Sequence, residues 1–215
     1  MVRALLDGRK SVTRRVVKPQ PQNTDCEHEM ITFNDMLPQF YSGDYTCVCR
    51  KCGYGVQPNG ESVFRPPFRP GDILYVRETW ARVGNEKAGR PMHYEYRVDC
   101  ENPFYFSDGF MASWRPSIHM PKKAARLFLR VTSVRVERLQ KITTQGIVNE
   151  GIVPKDTGSG PMRLRTRQDF YEAFEKTWDS TIRKADLPLY GWNANPWVWV
   201  IEFERCERPK ESAFH

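Results

Sequence analysis

Long apolar runs are missing from this sequence. None approaches the roughly 18 residues needed to span a bilayer, and residues 1–10 hold nothing like the apolar core of a secretory leader. Internal repeats and low-complexity tails are missing as well, which argues against a solenoid or a disordered chain. Cysteine is sparse and unevenly placed. Of six, Cys26, Cys47, Cys49 and Cys52 crowd into one stretch, with Cys100 and Cys206 far downstream. A disulfide framework would spread its cysteines along the chain, so the pattern points to a reducing, cytoplasmic compartment and to metal ligation. Cys100 and Cys206 are expected to be ordinary buried thiols.

What is present is a basic, aromatic chain long enough to bury a sizeable core. Its 215 residues carry a formal net charge of +7, with 13% aromatic residues and 6 Trp. That balance favours polyanionic partners. The charge is uneven: residues 1–20 hold six Lys/Arg against one Asp, and residues 115–138 hold seven against one Glu. Residues 21–70 reverse the sign, with four Lys/Arg against six Asp/Glu, and form a candidate insert.

Periodicity predicts a short first helix through Val2, Leu5 and Leu6, capped by Gly8. Pro70-Gly71-Asp72 reads as a turn into a strand, Ile73-Leu74-Tyr75-Val76-Arg77. Further strands are expected at residues 93–98, 126–139 and 197–203. A helix is expected over 143–150, with Thr143 or Thr144 as N-cap, and another over 167–182. In the latter, Phe170, Phe174, Trp178 and Ile182 recur every fourth residue as a core-facing stripe. Residues 154–165 read as a loop whose arginines, with Arg167, offer a flexible electrostatic contact. Strands dominate, so the expected class is α+β, a small barrel or strongly bent sheet with flanking helices.

Cys49-Arg50-Lys51-Cys52-Gly53 is a knuckle, two thiolates three apart followed by a turn-permitting glycine. With Cys26 and His28 it gives a Cys₃His tetrahedron suited to structural zinc, and Cys47 is an alternative ligand. Arg77, Glu78 and Trp80 close a predicted strand, where side chains often point into a pocket; Glu78 either pairs with Arg77, Arg14 or Lys10 as a structural salt bridge or takes a catalytic role. Trp80 and Trp114 are candidates to stack on a base, or else core aromatics. Arg115 is placed to reach phosphate, and His119 is either an acid–base group or a packing residue. Trp197 and Trp199 share a strand face and are expected to pack.

Gly8-Arg9-Lys10-Ser11-Val12-Thr13-Arg14-Arg15 resembles the Gly-x-Lys-x-x-Thr-x-Arg motif of ASCH domains, small barrels related to the PUA fold. The blocks at residues 70–80, 114–121, 134–139, 150–152 and 195–200 agree with it, so the resemblance spans the chain outside the loops and the insert. It implies one ASCH-type, PUA-like domain over 1–215 of a kind common in phages and prophages, with a zinc knuckle inserted at 21–66. A branch of that superfamily hydrolyses N4-acetylcytidine with a lysine, a threonine three residues on and a glutamate after the long strand. The matching positions are Lys10 as base, Thr13 as nucleophile and Glu150 as proton handler. Chemically, the lysine serves only if its pKa is lowered, and Arg9, Arg14 and Arg15 crowd it with like charge. The alternative is a non-catalytic module binding nucleic acid, RNA rather than DNA, with Lys10, Arg14 and Arg15 on phosphates. A third reading is a metal-independent ribonuclease.

Overall fold

A computed structural model describes residues 2–18, 20, 66–85, 88–102, 104–107, 111, 113–154 and 166–209. The zinc ligands expected at Cys26, His28, Cys47, Cys49 and Cys52 lie outside the described residues, as do nearly all of the 21–66 insert and the loop after Pro154.

The first turn of chain sets up everything near the sequence motif. Helix α1 (Val2–Leu6) buries Ala4 and Leu5 and ends as predicted at Gly8, whose φ of 69° is the left-handed conformation glycine adopts without strain. The amides of Arg9 and Lys10 then donate to the Ala4 carbonyl, turning the chain into β1 (Val12–Val16). That strand pairs antiparallel with β6 (Trp197–Cys206), which pairs in turn with β5 (Phe128–Arg138), and β5 with the short β2 (Ile73–Tyr75). The result is a curled four-stranded antiparallel sheet, half of a barrel, in an α+β fold. A separate hairpin of β3 (Trp80–Asn85) and β4 (Arg90–Tyr96) adjoins it.

β6 sits between β1 and β5 and is covered on both sides, which explains its unbroken apolar run Trp197-Val198-Trp199-Val200-Ile201. Trp197, Trp199 and Ile201 pack on one face with Val17, Val134 and Val136. Val198 and Val200 face the other way, onto Val12, Leu139, Ile142 and the helices. Those helices are α2 (Thr144–Asn149), N-capped by Thr143 through its acceptance of the Gly146 amide, and α3 (Arg167–Thr181), which opens with a Thr166/Asp169 capping box. The stripe Phe170, Phe174, Trp178 and Ile182 all joins this cluster, as the spacing predicts. A four-residue helix, α4 (Leu187–Tyr190), follows.

Several boundaries differ from the sequence reading. The strand expected over 73–77 stops at Tyr75, and Trp80 begins β3 rather than ending a strand. The strand expected at 93–98 starts earlier, at Arg90, because it pairs with β3 through Val83↔His93 and Asn85↔Arg90. Cys100 and Cys206 are free and only partly buried. No helix among the described residues is long and apolar enough to cross a membrane.

Candidate functional site

In β1 the side chains alternate: Val12, Arg14 and Val16 face α2, while Thr13, Arg15 and Val17 face the opposite side. The α2 side therefore receives a buried arginine. Arg14 lies against Glu137 at 2.8 Å and Glu150 at 3.2 Å, its side chain 3% exposed. Glu150 caps the end of α2 and forms an antiparallel bridge with Lys10. The chain can approach so closely there because Gly151, at φ 77°, has no Cβ; one would stand 2.7 Å from the Ala4 Cβ.

Lys10 Nζ donates to three acceptors, the Val12 carbonyl at 2.8 Å, the Glu150 carbonyl at 2.9 Å and Glu150 Oε2 at 2.6 Å. An ammonium has three hydrogens, so all are committed. Burial pushes this ammonium below its usual range. Glu150's charge and hydrogen bond pull it back up, and Arg15 and Arg14 add to the depression. Two predicted partners, Lys10 and Glu150, are thus brought together across 140 residues of sequence, with Arg14 beside them. Thr13 stands apart from this cluster: no hydrogen bond joins it to Lys10, and it lies on the face of β1 away from Arg14.

The other candidates scatter. Arg14, expected on phosphate, is occupied by its carboxylates, while Arg15 is exposed. Glu78, expected to pair with Arg77, Arg14 or Lys10, instead takes a fork from Arg126, at 2.9 Å to Nε and 2.8 Å to Nη2, and is 2% exposed. Arg126 also donates to Asp99. Burial opposes its charge, but the hydrogen bonds to Glu78 and Asp99 outweigh that and raise its pKa. Arg77 is exposed and donates to the Ile118 carbonyl. Trp80 is a core aromatic at 4% exposure, with Arg115 lying 5.4 Å from its ring. Trp114 is half-buried, edge-on to Phe106 at 5.1 Å, and His119 is exposed rather than packed.

Sequence reading missed a cleft of about 480 Å³ lined by Tyr94, Glu95, Tyr96, Asp99, Tyr105, Phe106 and Arg126, among others. Lys10, Thr13 and Glu150 are not in its lining. The only signal available was the aromatic density of residues 94–106. Glu95 anchors one wall. It accepts from the Ser107 amide at 3.0 Å and from the Ser107 hydroxyl, and sits 3.2 Å from His93 Nε2. Burial raises the pKa of Glu95, but these hydrogen bonds and the His93 charge outweigh it and hold the carboxyl below its ordinary 4.5.

A folded-state pKa below the unfolded one means the unfolded chain binds the proton first. The contribution of Glu95 is therefore full above pH 4.5 and drains away as pH falls through the lower folded value. Thermal midpoints measured across this range are expected to fall less steeply with acid in Glu95→Gln than in the native protein. Parallel curves would show that Glu95 does not contribute.

Among the described residues, no group of three or more His, Cys, Asp or Glu side chains is placed to hold a metal ion. No known protein family matches the chain, and no curated protein or solved structure matches it.

Proposed function

We propose that this chain is a nucleic-acid-binding module of the ASCH kind, a PUA-like barrel with a zinc knuckle in its 21–66 insert. One observation carries the reading: the buried and half-buried cations are neutralised internally, while a set of exposed arginines is not. Lys10 and Arg14 share Glu150 and Glu137, and Arg126 holds Glu78 and Asp99. Arg15, Arg77 and Arg115 are exposed and make no ion pair among the described residues. With a formal net charge of +7 on the chain, unpaired solvent-facing guanidinium groups are suited to phosphodiesters. In this reading Lys10 and Glu150 fasten β1 to the end of α2 and touch no substrate.

Hydrolysis of N4-acylated cytidine is the second reading, favoured by the depressed Lys10 ammonium 2.6 Å from Glu150. For Thr13 to attack, Lys10 would first have to release one of its three acceptors and reach the other face of β1.

Labelled RNA and DNA oligonucleotides, titrated with the intact protein at several salt concentrations, separate the two. Binding that weakens steeply with salt while N4-acetylcytidine stays intact is the expected result. Release of acetate by the native protein, abolished in Lys10→Ala, would replace binding with catalysis; no binding to either polymer would end the proposal.

A further inference from the structure

The segment from Arg115 to Val136 contains six Lys/Arg and no Asp or Glu. Its first part is a braced ridge. Pro116 and Pro121 each precede a 3-10 turn, Ser117–His119 and Lys122–Ala124, and proline fixes φ at the start of each turn. Met120, Ala124 and Ala125 point inward and are at most 5% exposed, packing with Trp80 and Phe128. Arg115, His119, Lys122 and Lys123 are left outward. Two cations from elsewhere join them. Arg77 Nη1 donates to the Ile118 carbonyl at 3.2 Å, and Arg208 Nη1 to the Lys123 carbonyl at 3.4 Å. Arg77, Arg115, Lys123 and Arg208 make no ion pair among the described residues.

This ridge borders the aromatic cleft at both ends. Phe106, in the cleft wall, stands edge-on to Trp114, the residue before Arg115. At the other end the Tyr96 hydroxyl donates to the Ala124 carbonyl at 2.5 Å. The cleft is lined by the aromatic rings of Tyr94, Tyr105 and Phe106, with Tyr105 48% exposed, and by Tyr96, whose ring carries the Arg126 guanidinium 3.9 Å from its centroid. Its volume falls within the usual range of about 300–1,000 Å³ for a small-ligand pocket. Its carboxylates, Glu95, Asp99 and Glu101, would repel phosphate but accept hydrogen bonds from an amino-bearing base edge.

Resting on the nucleic-acid reading above, we infer that the ligand is a single strand, its phosphates following Arg115, Lys123, Arg77 and Arg208 and one unpaired base inserted in the Tyr94–Phe106 cleft. A duplex keeps its bases stacked and cannot supply that base, whereas unstacked bases on aromatic side chains are the ordinary mode of single-strand recognition. The rigid, prearranged ridge lowers the ordering cost of binding.

Fluorescence anisotropy with labelled single-stranded and duplex oligonucleotides, in both RNA and DNA form, tests the inference on the whole chain. The expected result is preferential binding of the single strand. In Arg115→Ala/Lys123→Ala the slope of log affinity against log salt should become shallower by about 1.4, at about 0.7 for each phosphate no longer neutralised. Tyr105→Ala should weaken binding by at least about fivefold without changing that slope. A control removing equal charge, Lys176→Ala/Lys184→Ala on α3 and the turn after it, should change the slope less than the ridge pair. Lys123→Glu alone repeats the ridge test without disturbing the packing of Arg115 on Trp80.

An unchanged slope in both ridge variants, or equal changes in ridge and control pairs, overturns the ridge. Unaltered affinity in Tyr105→Ala overturns the base pocket. Binding of duplex in preference to single strand overturns the inference while leaving nucleic-acid binding intact; no binding of any oligonucleotide sinks both.

Discussion

Glu150→Ala is expected to lower the stability of the fold by about 3–5 kcal/mol, the usual cost of leaving a buried charge without its partner. Lys10 and Arg14 have side chains 5% and 3% exposed, and both depend on this carboxylate. Arg14 keeps Glu137 at 2.8 Å. Lys10 keeps only carbonyl oxygens, so most of the loss should come from its stranded ammonium. Chemical denaturation would show it as a lower midpoint at constant slope. Adding Lys10→Met to Glu150→Ala should recover part of the loss, because an apolar stem of similar length removes the stranded charge. The exposed Asp7–Arg9 pair, at 41% and 44% exposure, provides the contrast: its removal should cost no more than about 1 kcal/mol. If Glu150→Ala falls within that smaller range, the Lys10 site is wetter than its burial implies.

The second large effect lies on α3. Trp178→Ala should cost about 3–5 kcal/mol, from lost apolar burial and the cavity left behind. The indole is 8% exposed, stacks 6.2 Å from Phe174, and donates Nε1–H to the Tyr190 carbonyl at 2.8 Å. The ring thus joins α3 to α4 as well as to the sheet. Trp178→Phe keeps much of the apolar volume and loses the hydrogen bond, so it should lie between native and Ala. A cost for Trp178→Ala within about 0.5 kcal/mol, as at a surface site, would mean that α3 is not seated on the sheet.

α3 was readable in advance because its burial is written in local spacing, four apolar residues one turn apart. β6 was readable for a related reason, since a central strand covered on both faces needs an unbroken apolar run. β1 was not. Its core-facing side includes Arg14, and an arginine at an inward position hides the strand alternation. That arginine is tolerable only because of Glu137 and Glu150, which lie 123 and 136 residues further along. Spacing within the motif could not show this.

The same limit governed the site residues. Lys10 and Glu150 meet across 140 residues of sequence, whereas Thr13, only three residues from Lys10, makes no hydrogen bond to it. An odd offset along a strand puts Thr13 on the other face from Lys10's neighbour Arg14. Glu78 failed similarly: Arg77 was its nearest cation in sequence, and Arg126, 48 residues later, is its actual partner. The cleft was invisible because its walls come from a hairpin strand and the irregular segment after it, neither with a strong periodic signature.

The pairing of β1 with β6 has a consequence for biosynthesis. Among the described strands β1 is synthesised first and the edge it joins, β6, last, whereas β5 already has β2 to pair with. β1 therefore seats only after β6 has emerged, and such distant pairing is slow to form. During that delay β1 keeps its backbone groups unpaired, so a chain interrupted before β6 lacks the strand that joins β1 to β5 and stands open to unwanted association.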